Sequence, residues 1–289
     1  MLYSGLNQHN SNIMNTKNKT ISKLKRILFS LLLPVAISTA IPCQAQVDKA
    51  KLRMASYNIQ HGVGMDQKLD YKRIADVLEN INPDVVAVQE VDSMTGRTGN
   101  TYSLGEIANH MRYYASYAPA ISFDGGKYGI GILSRKRPIR TEQHALPGRE
   151  EARTLLVAEF DEYVFAATHL SLTEDDLMAS ASIIENIAKK CSKPFIIAGD
   201  FNALPDSPFI KQFEKSFYIC NSKEKSWPSD QPRECLDYIA VYKGYGEAYL
   251  PKPAETLHSE VVNTLASDHR PIFADIVLLN TDTRCIQNE

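Results

Sequence analysis

The sequence contains little of several features that mark specialised protein classes. Its 289 residues include only 14 Gly and 14 Pro, and no segment is repeated or of low complexity. This composition excludes collagen-like, repeat-built and disordered proteins. CxxC and HExxH patterns are missing too, so the usual sequence signatures of a zinc site are absent. With 44% hydrophobic and 23% charged residues, the chain is long enough to bury a sizeable core.

Acidic residues are missing from the first 45 positions, which hold five basic residues between Lys17 and Arg26. The other 27 of the 32 basic residues and all 34 acidic residues therefore follow, and they give that part a formal net charge of −7. It contains no long basic run. Because nucleic acid is held mainly by neutralising its phosphates, this charge balance disfavours duplex DNA as a ligand.

No hydrophobic run is long enough to span a membrane, which takes about 20 residues. The apolar stretch 27–37 follows the basic residues, and small and polar residues follow it up to Ala45. This order predicts a secretory signal segment over 1–45. We expect cleavage after Ala45, with a retained anchor or a lipid-modified Cys43 as the alternatives. The mature chain is then exported, periplasmic or extracellular, and has no transmembrane span.

Few cysteines remain after the signal segment: Cys191, Cys220, Cys235 and Cys285. In an oxidising compartment four cysteines can pair in three ways. The best candidate pair is Cys220 with Cys235, which flank a polar segment. Buried or free thiols are nevertheless the favoured interpretation, because a domain of this size does not need a disulfide.

Hydrophobic periodicity predicts one α/β domain over 46–289 with a short C-terminal tail from about residue 280. Helices are predicted after Asp70, from about Ser103, after Thr173 in an approximate capping box, and after Ser207. Apolar strands are predicted at 52–57, 85–88, 113–117, 129–133, 154–160, 163–168, 195–198, 236–242 and 271–278.

Polar residues follow or interrupt many of these strands. They are Asn58, Glu90, His169, Asp200, Asn202, Asp237, Asp268 and His269. Taken singly, most have an ordinary structural explanation as turn residues, helix caps or satisfied histidines. An unpaired carboxylate inside a strand, as at Asp237, is harder to explain in this way. Together, carboxylates and amides at strand ends form a hard-oxygen site suited to Mg²⁺ or Mn²⁺.

The ordered motifs resemble those of the endonuclease/exonuclease/phosphatase (DNase I-like) superfamily. The matching segments are 57–59, 83–91, 131–135, 168–170, 199–202, 236–239 and 267–271. Segments 58–62 and 227–229 are further similar to the compact secreted bacterial members. The resemblance covers most of 52–279 and implies a four-layer α/β sandwich, in which two packed mixed β-sheets are flanked by helices.

The resemblance implies a metal site. Asn58, Glu90 and Asp268 fall at the metal-binding positions of the superfamily, which implies Mg²⁺ or Mn²⁺ as the cofactor. A divalent ion lowers the barrier to attack on an anionic phosphoester by stabilising charge on its oxygens.

The resemblance also implies catalytic roles. Asp200 falls at the position of the residue that activates the attacking water, and Asn202 at that of its neighbour holding the scissile phosphate. His169 and His269 resemble the pair that contacts phosphate oxygens. Asp237 would hydrogen-bond to His269 and fix its tautomer.

Two further residues are candidates for substrate binding. Arg153 stands at the start of a predicted strand and is equally compatible with a solvated side chain. Trp227, the only Trp, lines the substrate cleft or is simply a packed loop aromatic. Segment 127–131 lacks a polar residue where many relatives have Asn, which leaves the role of Tyr128 open.

The function implied is a secreted, divalent-metal-dependent phosphoesterase that hydrolyses a phosphodiester or phosphomonoester. The expected reaction is in-line attack of a water activated by Asp200. We expect a monomer and favour a lipid headgroup or nucleotide over duplex DNA as substrate. The alternatives are a secreted nuclease acting on DNA, a catalytically inert binding protein on the same fold, and a membrane-tethered adhesin or scaffold.

Overall fold

The computed structural model describes residues 51–245 and 248–279. The expected signal segment, Cys43, Cys285 and the expected tail from about residue 280 lie outside these residues. The helices are α1 (Tyr71–Ile81), α2 (Ser103–Met111), α3 (Glu174–Ala188) and α4 (Pro208–Ser216), with short 3-10 helices at Gln60–Gly62 and Gly96–Thr98.

The chain forms fourteen strands in the described ranges. They are β1 (Lys51–Asn58), β2 (Val85–Ser93), β3 (Tyr114–Phe123), β4 (Gly126–Ser134), β5 (Arg140–Leu146), β6 (Arg153–Glu159), β7 (Val164–His169), β8 (Phe195–Asp200), β9 (Phe217–Ile219), β10 (Asp237–Tyr242), β11 (Gly244–Tyr245), β12 (Ala248–Tyr249), β13 (Ala254–Val261) and β14 (Ile272–Leu278).

Two six-stranded mixed sheets organise the domain. The first has the order β13-β14-β1-β2-β4-β3 and the second β5-β6-β7-β8-β10-β9. Each sheet contains one parallel pair, β1 with β2 and β7 with β8, and its other pairs are antiparallel. A parallel pair needs a crossover connection, which α1 and α3 provide. The carboxyl ends of both strands in a parallel pair therefore lie at one edge of the sheet.

Helix α1 shows how local sequence sets these crossovers. The Asp70 side chain accepts a hydrogen bond from the Arg73 backbone N at 2.9 Å and caps the first turn, a contact that typically stabilises a helix by about 1 kcal/mol. Ile74 and Leu78 are buried on its inner stripe. The helix ends at Asn82, whose left-handed backbone (φ 58°) precedes Pro83. The predicted cap and apolar stripe are confirmed.

The hydrophobic core forms three layers. Met54 and Ile132 of the first sheet pack with Phe165 and Ile239 of the second in the layer between the sheets. A second cluster joins α1 and α2 to the outer face of the first sheet. A third joins α3 and α4 to the outer face of the second sheet. The fold is thus helix, sheet, sheet, helix, and the predicted four-layer α/β sandwich is confirmed.

One of two local expectations differs from the structure. Thr173 stands at the N-cap of α3 but its side chain makes no capping bond, because its hydroxyl points to Glu150 Oε2 at 3.3 Å instead. The expectation of buried or free thiols is confirmed for Cys191, Cys220 and Cys235, and the candidate pair of Cys220 with Cys235 is not formed. Cys220 lies between the sheets whereas Cys235 lies in the cluster on the outer face of the second sheet.

None of the helices within the described ranges is long and apolar enough to cross a membrane.

Candidate active site

Asn58 and Glu90 come from the parallel pair of the first sheet. Asn58 is the last residue of β1 and is fully buried. Pairing of β2 with β4 is interrupted between Val88 and Val91, and Glu90 within this bulge has a positive φ of 57°. A bulge re-aims a side chain at the cost of a local ladder bond, and left-handed backbone at a non-glycine residue is typical of functional sites. The bulge allows the Glu90 carboxylate to meet Asn58, whose Nδ2 donates to Glu90 Oε1 at 2.9 Å.

A row of three polar residues crosses the second sheet. His169 at the end of β7 is the register partner of Asp200 at the end of β8, and Asp200 is the register partner of Asp237 at the start of β10. Register partners on neighbouring strands lie side by side on one face of a sheet. All three residues are buried.

Asp268 and His269 approach from the connection that leads into β14. This connection is fastened to both sides of the site, because Ser267 Oγ donates to the Asn58 carbonyl at 2.8 Å and the Ser229 backbone N donates to the Asp268 carbonyl at 2.7 Å. His269 is buried and Asp268 is half-buried.

The two sheets converge on the carboxylate of Asp200. Its Oδ2 accepts a hydrogen bond from Asn58 Nδ2 at 3.2 Å and lies 3.6 Å from both His169 Nε2 and His269 Nε2. Its Oδ1 accepts from the backbone N of Asn202 at 2.9 Å. Asn202 adopts a left-handed backbone (φ 49°), and its Nδ2 donates to the Leu170 carbonyl at 2.9 Å.

Asp237 holds the far side of the His269 ring. Its Oδ2 lies 3.0 Å from His269 Nδ1 and accepts a hydrogen bond from Ser226 Oγ at 2.5 Å. The other carboxylate oxygen of Asp237, Oδ1, is buried and has no hydrogen-bond partner among the described residues. A carboxylate in this position orients the ring and leaves Nε2 facing Asp200.

The two histidines have opposite charge preferences. Burial lowers the pKa of His169 to about 4 despite the nearby charge of Asp200. Burial also acts to lower the pKa of His269, but the charges of Asp237 and Asp200 outweigh it and raise that pKa to about 10. At neutral pH the site therefore pairs a neutral imidazole with an imidazolium.

The surroundings of Glu90 also shift the pKa of its carboxyl group. Burial raises the pKa of Glu90 to about 7, and the charges of Asp268 and Asp200 add to the effect, while the hydrogen bond from Asn58 opposes it. Three carboxylates thus crowd one end of the site. Such crowding is relieved by a bound cation, since opposite charge favours the ionised carboxylate.

These residues open onto a cleft of about 430 Å³. Both candidate substrate-binding residues line it. Arg153 is 9% exposed, and the Trp227 ring centroid lies 6.4 Å from that of His269. The lining residues are Glu90, Tyr128, Glu151, Arg153, His169, Leu172, Asp200, Asn202, Trp227, Glu234, Leu236, Asp268 and His269.

The structure thus brings together all eight predicted catalytic and metal-binding residues at one edge of the sandwich. Asn58 and Asp237 sit behind the cleft wall, where they contact Asp200 and His269 respectively. Sequence reasoning missed Ser226 and the two cleft-lining acids Glu151 and Glu234. Ser226 directly precedes Trp227, but nothing in its local sequence indicates a partner eleven positions away.

Two sets of residues have donor chemistry for a metal ion. Asp200, Asp237 and His269 place one potential ligand atom each within 4.8 Å of one another. Because Asp237 and His269 already bond to each other, and His269 prefers the protonated form, this set is the poorer choice. Asn58, Glu90 and Asp268 offer amide and carboxylate oxygens, the donors that Mg²⁺ and Mn²⁺ prefer. The crowded carboxylates show that the residues present fit a divalent cation.

The four-layer sandwich with a polar site at one edge places the chain in the DNase I-like class of folds. The sequence profile of the Endonuclease/Exonuclease/phosphatase family matches residues 55–269. The chain belongs to this family, whose name describes enzymes that hydrolyse phosphoesters. No curated protein matches the chain.

Solved structures share the fold at low identity. An endonuclease/exonuclease/phosphatase from Beutenbergia cavernae matches with a TM-score of 0.66 and 19% identity, over 79% of this chain and 72% of that one. One from Bacteroides vulgatus matches with a TM-score of 0.65 and 17% identity, over 80% of this chain and all (100%) of that one. A mannosyl-6-phosphatase from Bacteroides thetaiotaomicron matches with a TM-score of 0.61 and 15% identity, over 78% of this chain and 100% of that one.

Proposed function

We propose that the protein is an exported phosphoesterase that depends on Mg²⁺ or Mn²⁺. The observation that carries this proposal is the position of Asp200, whose carboxylate is met by Asn58 and both histidines beside an open cleft. Family membership supports the hydrolysis of a phosphoester. Export rests on the composition of residues 1–45 alone.

Asn58, Glu90 and Asp268 would hold the divalent ion. When bound, such an ion supplies a positive charge that polarises the phosphate oxygens. The bulge in β2 and the bond from Ser267 to the Asn58 carbonyl fix the first sheet's contribution to this set. Ligands held by backbone irregularities and buried hydrogen bonds lose little entropy on binding.

Asp200 activates the water for in-line attack. It is 1% exposed, and its Oδ1 is held by the backbone N of Asn202, which leaves Oδ2 to accept a proton. A carboxylate base within reach of a water typically accelerates attack by about 10²–10⁴-fold. Asn202 lines the cleft beside this oxygen and has a second amide hydrogen available for the scissile phosphate.

The two histidines stabilise the phosphate during the reaction. His269 bears a positive charge stabilised by Asp237, lines the cleft, and has its Nε2 3.6 Å from Asp200 Oδ2. His169, at the end of β7 in the second sheet, contributes a neutral imidazole. Donors fixed in place before the reaction stabilise developing charge more effectively than water, because they need no reorganisation.

The substrate is proposed to be a small or lipid-borne phosphoester, with duplex DNA less favoured. A solved structure of this fold is named as a mannosyl-6-phosphatase, which supports a small phosphoester as the substrate class. The net charge of −7 beyond residue 45 opposes binding of a polyanion. We propose a monomer in solution.

A substrate panel tests the proposal. Purified protein, treated with a chelator, should turn over at least one of p-nitrophenyl phosphate, bis(p-nitrophenyl) phosphate, a hexose phosphate, a phospholipid headgroup ester and supercoiled plasmid after Mg²⁺ or Mn²⁺ is restored. Ca²⁺ serves as a comparison ion. Turnover that persists in the chelator, or its absence with every substrate and ion, would contradict the proposal.

A further inference from the structure

The cleft lining contains charges that the proposed reaction does not use. Apart from the residues assigned to metal binding and catalysis, its charged members are Glu151, Arg153 and Glu234. Two of these three side chains are acidic, although the expected substrate is an anion. This charge pattern calls for an explanation.

Arg153 is already neutralised by its neighbours. It is 9% exposed, its guanidinium lies 3.7 Å from Glu150 Oε1 and 3.3 Å from Glu151 Oε1, and its Nε has no hydrogen-bond partner among the described residues. One arginine between two carboxylates can bind at most one phosphate, which is the reacting one. It supplies no surplus positive charge for a second one.

Glu234 is presented to the cleft by its backbone. Its N donates to the Trp227 carbonyl at 2.8 Å and its carbonyl accepts from the Trp227 N at 3.0 Å, so both side chains are carried by one antiparallel bridge. Glu234 is half-buried and forms no ion pair with any described residue. An unpaired carboxylate therefore stands beside the aromatic wall formed by Trp227.

We propose that Glu151 and Glu234 restrict this cleft to phosphoesters that carry a single phosphate on an uncharged or cationic organic group. The inference rests on the proposed function and adds its substrate class. A second phosphate would lie against one of the two carboxylates that line the cleft, where like charges repel. Trp227, Leu172 and Leu236 provide the apolar surface for the uncharged part. Specificity thus arises from a repulsive element as well as an attractive one.

Matched substrates that differ by one phosphate test the proposal. The first pair is the p-nitrophenyl ester of thymidine 5′-phosphate with a free or a phosphorylated 3′-hydroxyl, and the second is a hexose monophosphate and the corresponding bisphosphate. Released p-nitrophenol or inorganic phosphate gives kcat/KM in Mg²⁺ at low and physiological salt. The comparison is made with whichever of the two substrate pairs the enzyme hydrolyses.

The variants are Glu234→Gln and Glu151→Gln, which keep side-chain shape and remove one charge. The control is Glu224→Gln, an exposed acid in the same loop that does not line the cleft. Wild type should favour the single-phosphate substrate by at least about tenfold, equivalent to about 1.4 kcal/mol. Each cleft variant should reduce that ratio about fivefold, Glu224→Gln should leave it unchanged, and added salt should weaken it.

Two results would overturn the inference alone. They are equal kcat/KM for both substrates in wild type, and a preference that survives unchanged in both cleft variants. Absence of metal-dependent turnover on every substrate would instead overturn the proposed function and the inference with it. Folding of each variant is checked by its thermal transition.

Discussion

Asp200 combines a buried position with contacts from both sheets. Its Oδ1 is occupied by the Asn202 backbone, whereas Oδ2 faces Asn58 from the first sheet and the two histidines. A carboxylate with one oxygen anchored and the other directed into a cleft is suited to take a proton without moving. The same contacts would hold a purely positioning residue, so kinetics must separate the two roles.

Asp200→Asn should lower kcat by about 10²–10⁴-fold and change KM by less than about threefold, because it removes the base and keeps the shape. Steady-state kinetics with Mg²⁺ on the best substrate of the panel measures both constants. Asp206→Asn, which alters an acid in the following loop that does not line the cleft, is the control. A change confined to KM would make Asp200 a positioning residue.

Ser226 acts through Asp237 rather than on the substrate. Its buried hydroxyl donates to the Asp237 oxygen that also meets His269, while the other oxygen of Asp237 has no partner in the described chain. Ser226→Ala removes one of two contacts that orient this carboxylate. We expect kcat to fall about tenfold with little change in KM, and Ser226→Thr to restore most of it.

A double-mutant cycle checks this coupling. If Ser226 works only through Asp237, the losses in Ser226→Ala and Asp237→Asn should be strongly non-additive. Fully additive losses, or no rescue by Ser226→Thr, would mean that the serine affects the loop rather than the carboxylate.

At the scale of elements, β1 and β14 are joined by ion pairs to the buried carboxylate of Asp275 as well as by their ladder. Asp275 of β14 accepts hydrogen bonds from Arg53 at 2.7 and 2.8 Å and pairs with Lys51 at 2.8 Å. These contacts outweigh burial and lower the pKa of Asp275 to about 2. These strands also position the site, because β1 ends at Asn58 and β14 begins shortly after His269.

The pH dependence of stability follows from that lowered pKa. An aspartate with an unfolded pKa of about 3.9 and a folded pKa of about 2 contributes its stabilisation above pH 4 and loses it as the pH falls towards 2. Asp275→Asn should therefore lower the free energy of unfolding by about 2 kcal/mol at pH 7, with a difference from wild type that shrinks at pH 3.

Urea unfolding at several pH values measures this difference. Asp76→Asn is the matched control, since Asp76 pairs with Lys72 on the exposed face of α1 and such pairs contribute under about 1 kcal/mol. A pH-independent difference for Asp275→Asn would mean that packing, not ionisation, stabilises the strand pair.

The elements that sequence patterns predicted are those with strong apolar periodicity. Helix α1 and the buried strands β1 and β8 were predicted to within a few residues, and the functional residues at their ends were found because polar groups there are costly to bury. The edge strands β5 and β13 were missed. Each has a single buried residue, so neither shows an apolar pattern.

The missed part of the site has a different origin. Glu234 and Ser226 acquire their positions from the bridge and bonds of a loop, which depend on partners distant in the chain. Glu90 was found by its motif, but the bulge that turns it towards Asn58 leaves no mark on the apolar pattern of β2. Local periodicity cannot predict such contacts.

At the scale of the whole molecule, the two sheets contribute different groups of residues to the site. The proposed metal-binding residues belong to the first sheet and the connection into β14, and His169, Asp200 and Asp237 belong to the second sheet. The shared apolar layer between the sheets is what holds the two groups in register. A ligand that engages the first group binds the folded chain and not the unfolded one.

Metal binding should therefore stabilise the fold by mass action. Mg²⁺ or Mn²⁺ at about 100 times its Kd should add about 2.7 kcal/mol to the free energy of unfolding, which for a domain of this size raises Tm by about 5–10 °C. Removing the ion with a chelator should reverse the shift. In Glu90→Ala the shift should largely disappear, because a charged oxygen ligand is lost.

Thermal unfolding by circular dichroism, with and without the ion, gives this result independently of any substrate. Glu106→Ala, an exposed acid on α2, is the control and should keep the full shift. Glu90→Ala should itself fold, and should have a metal-free Tm equal to or above that of wild type, because it relieves a carboxylate crowded by Asp268 and Asp200. An undiminished shift in Glu90→Ala would move the metal site away from Glu90, and the Asp200, Asp237 and His269 set would become the site to test.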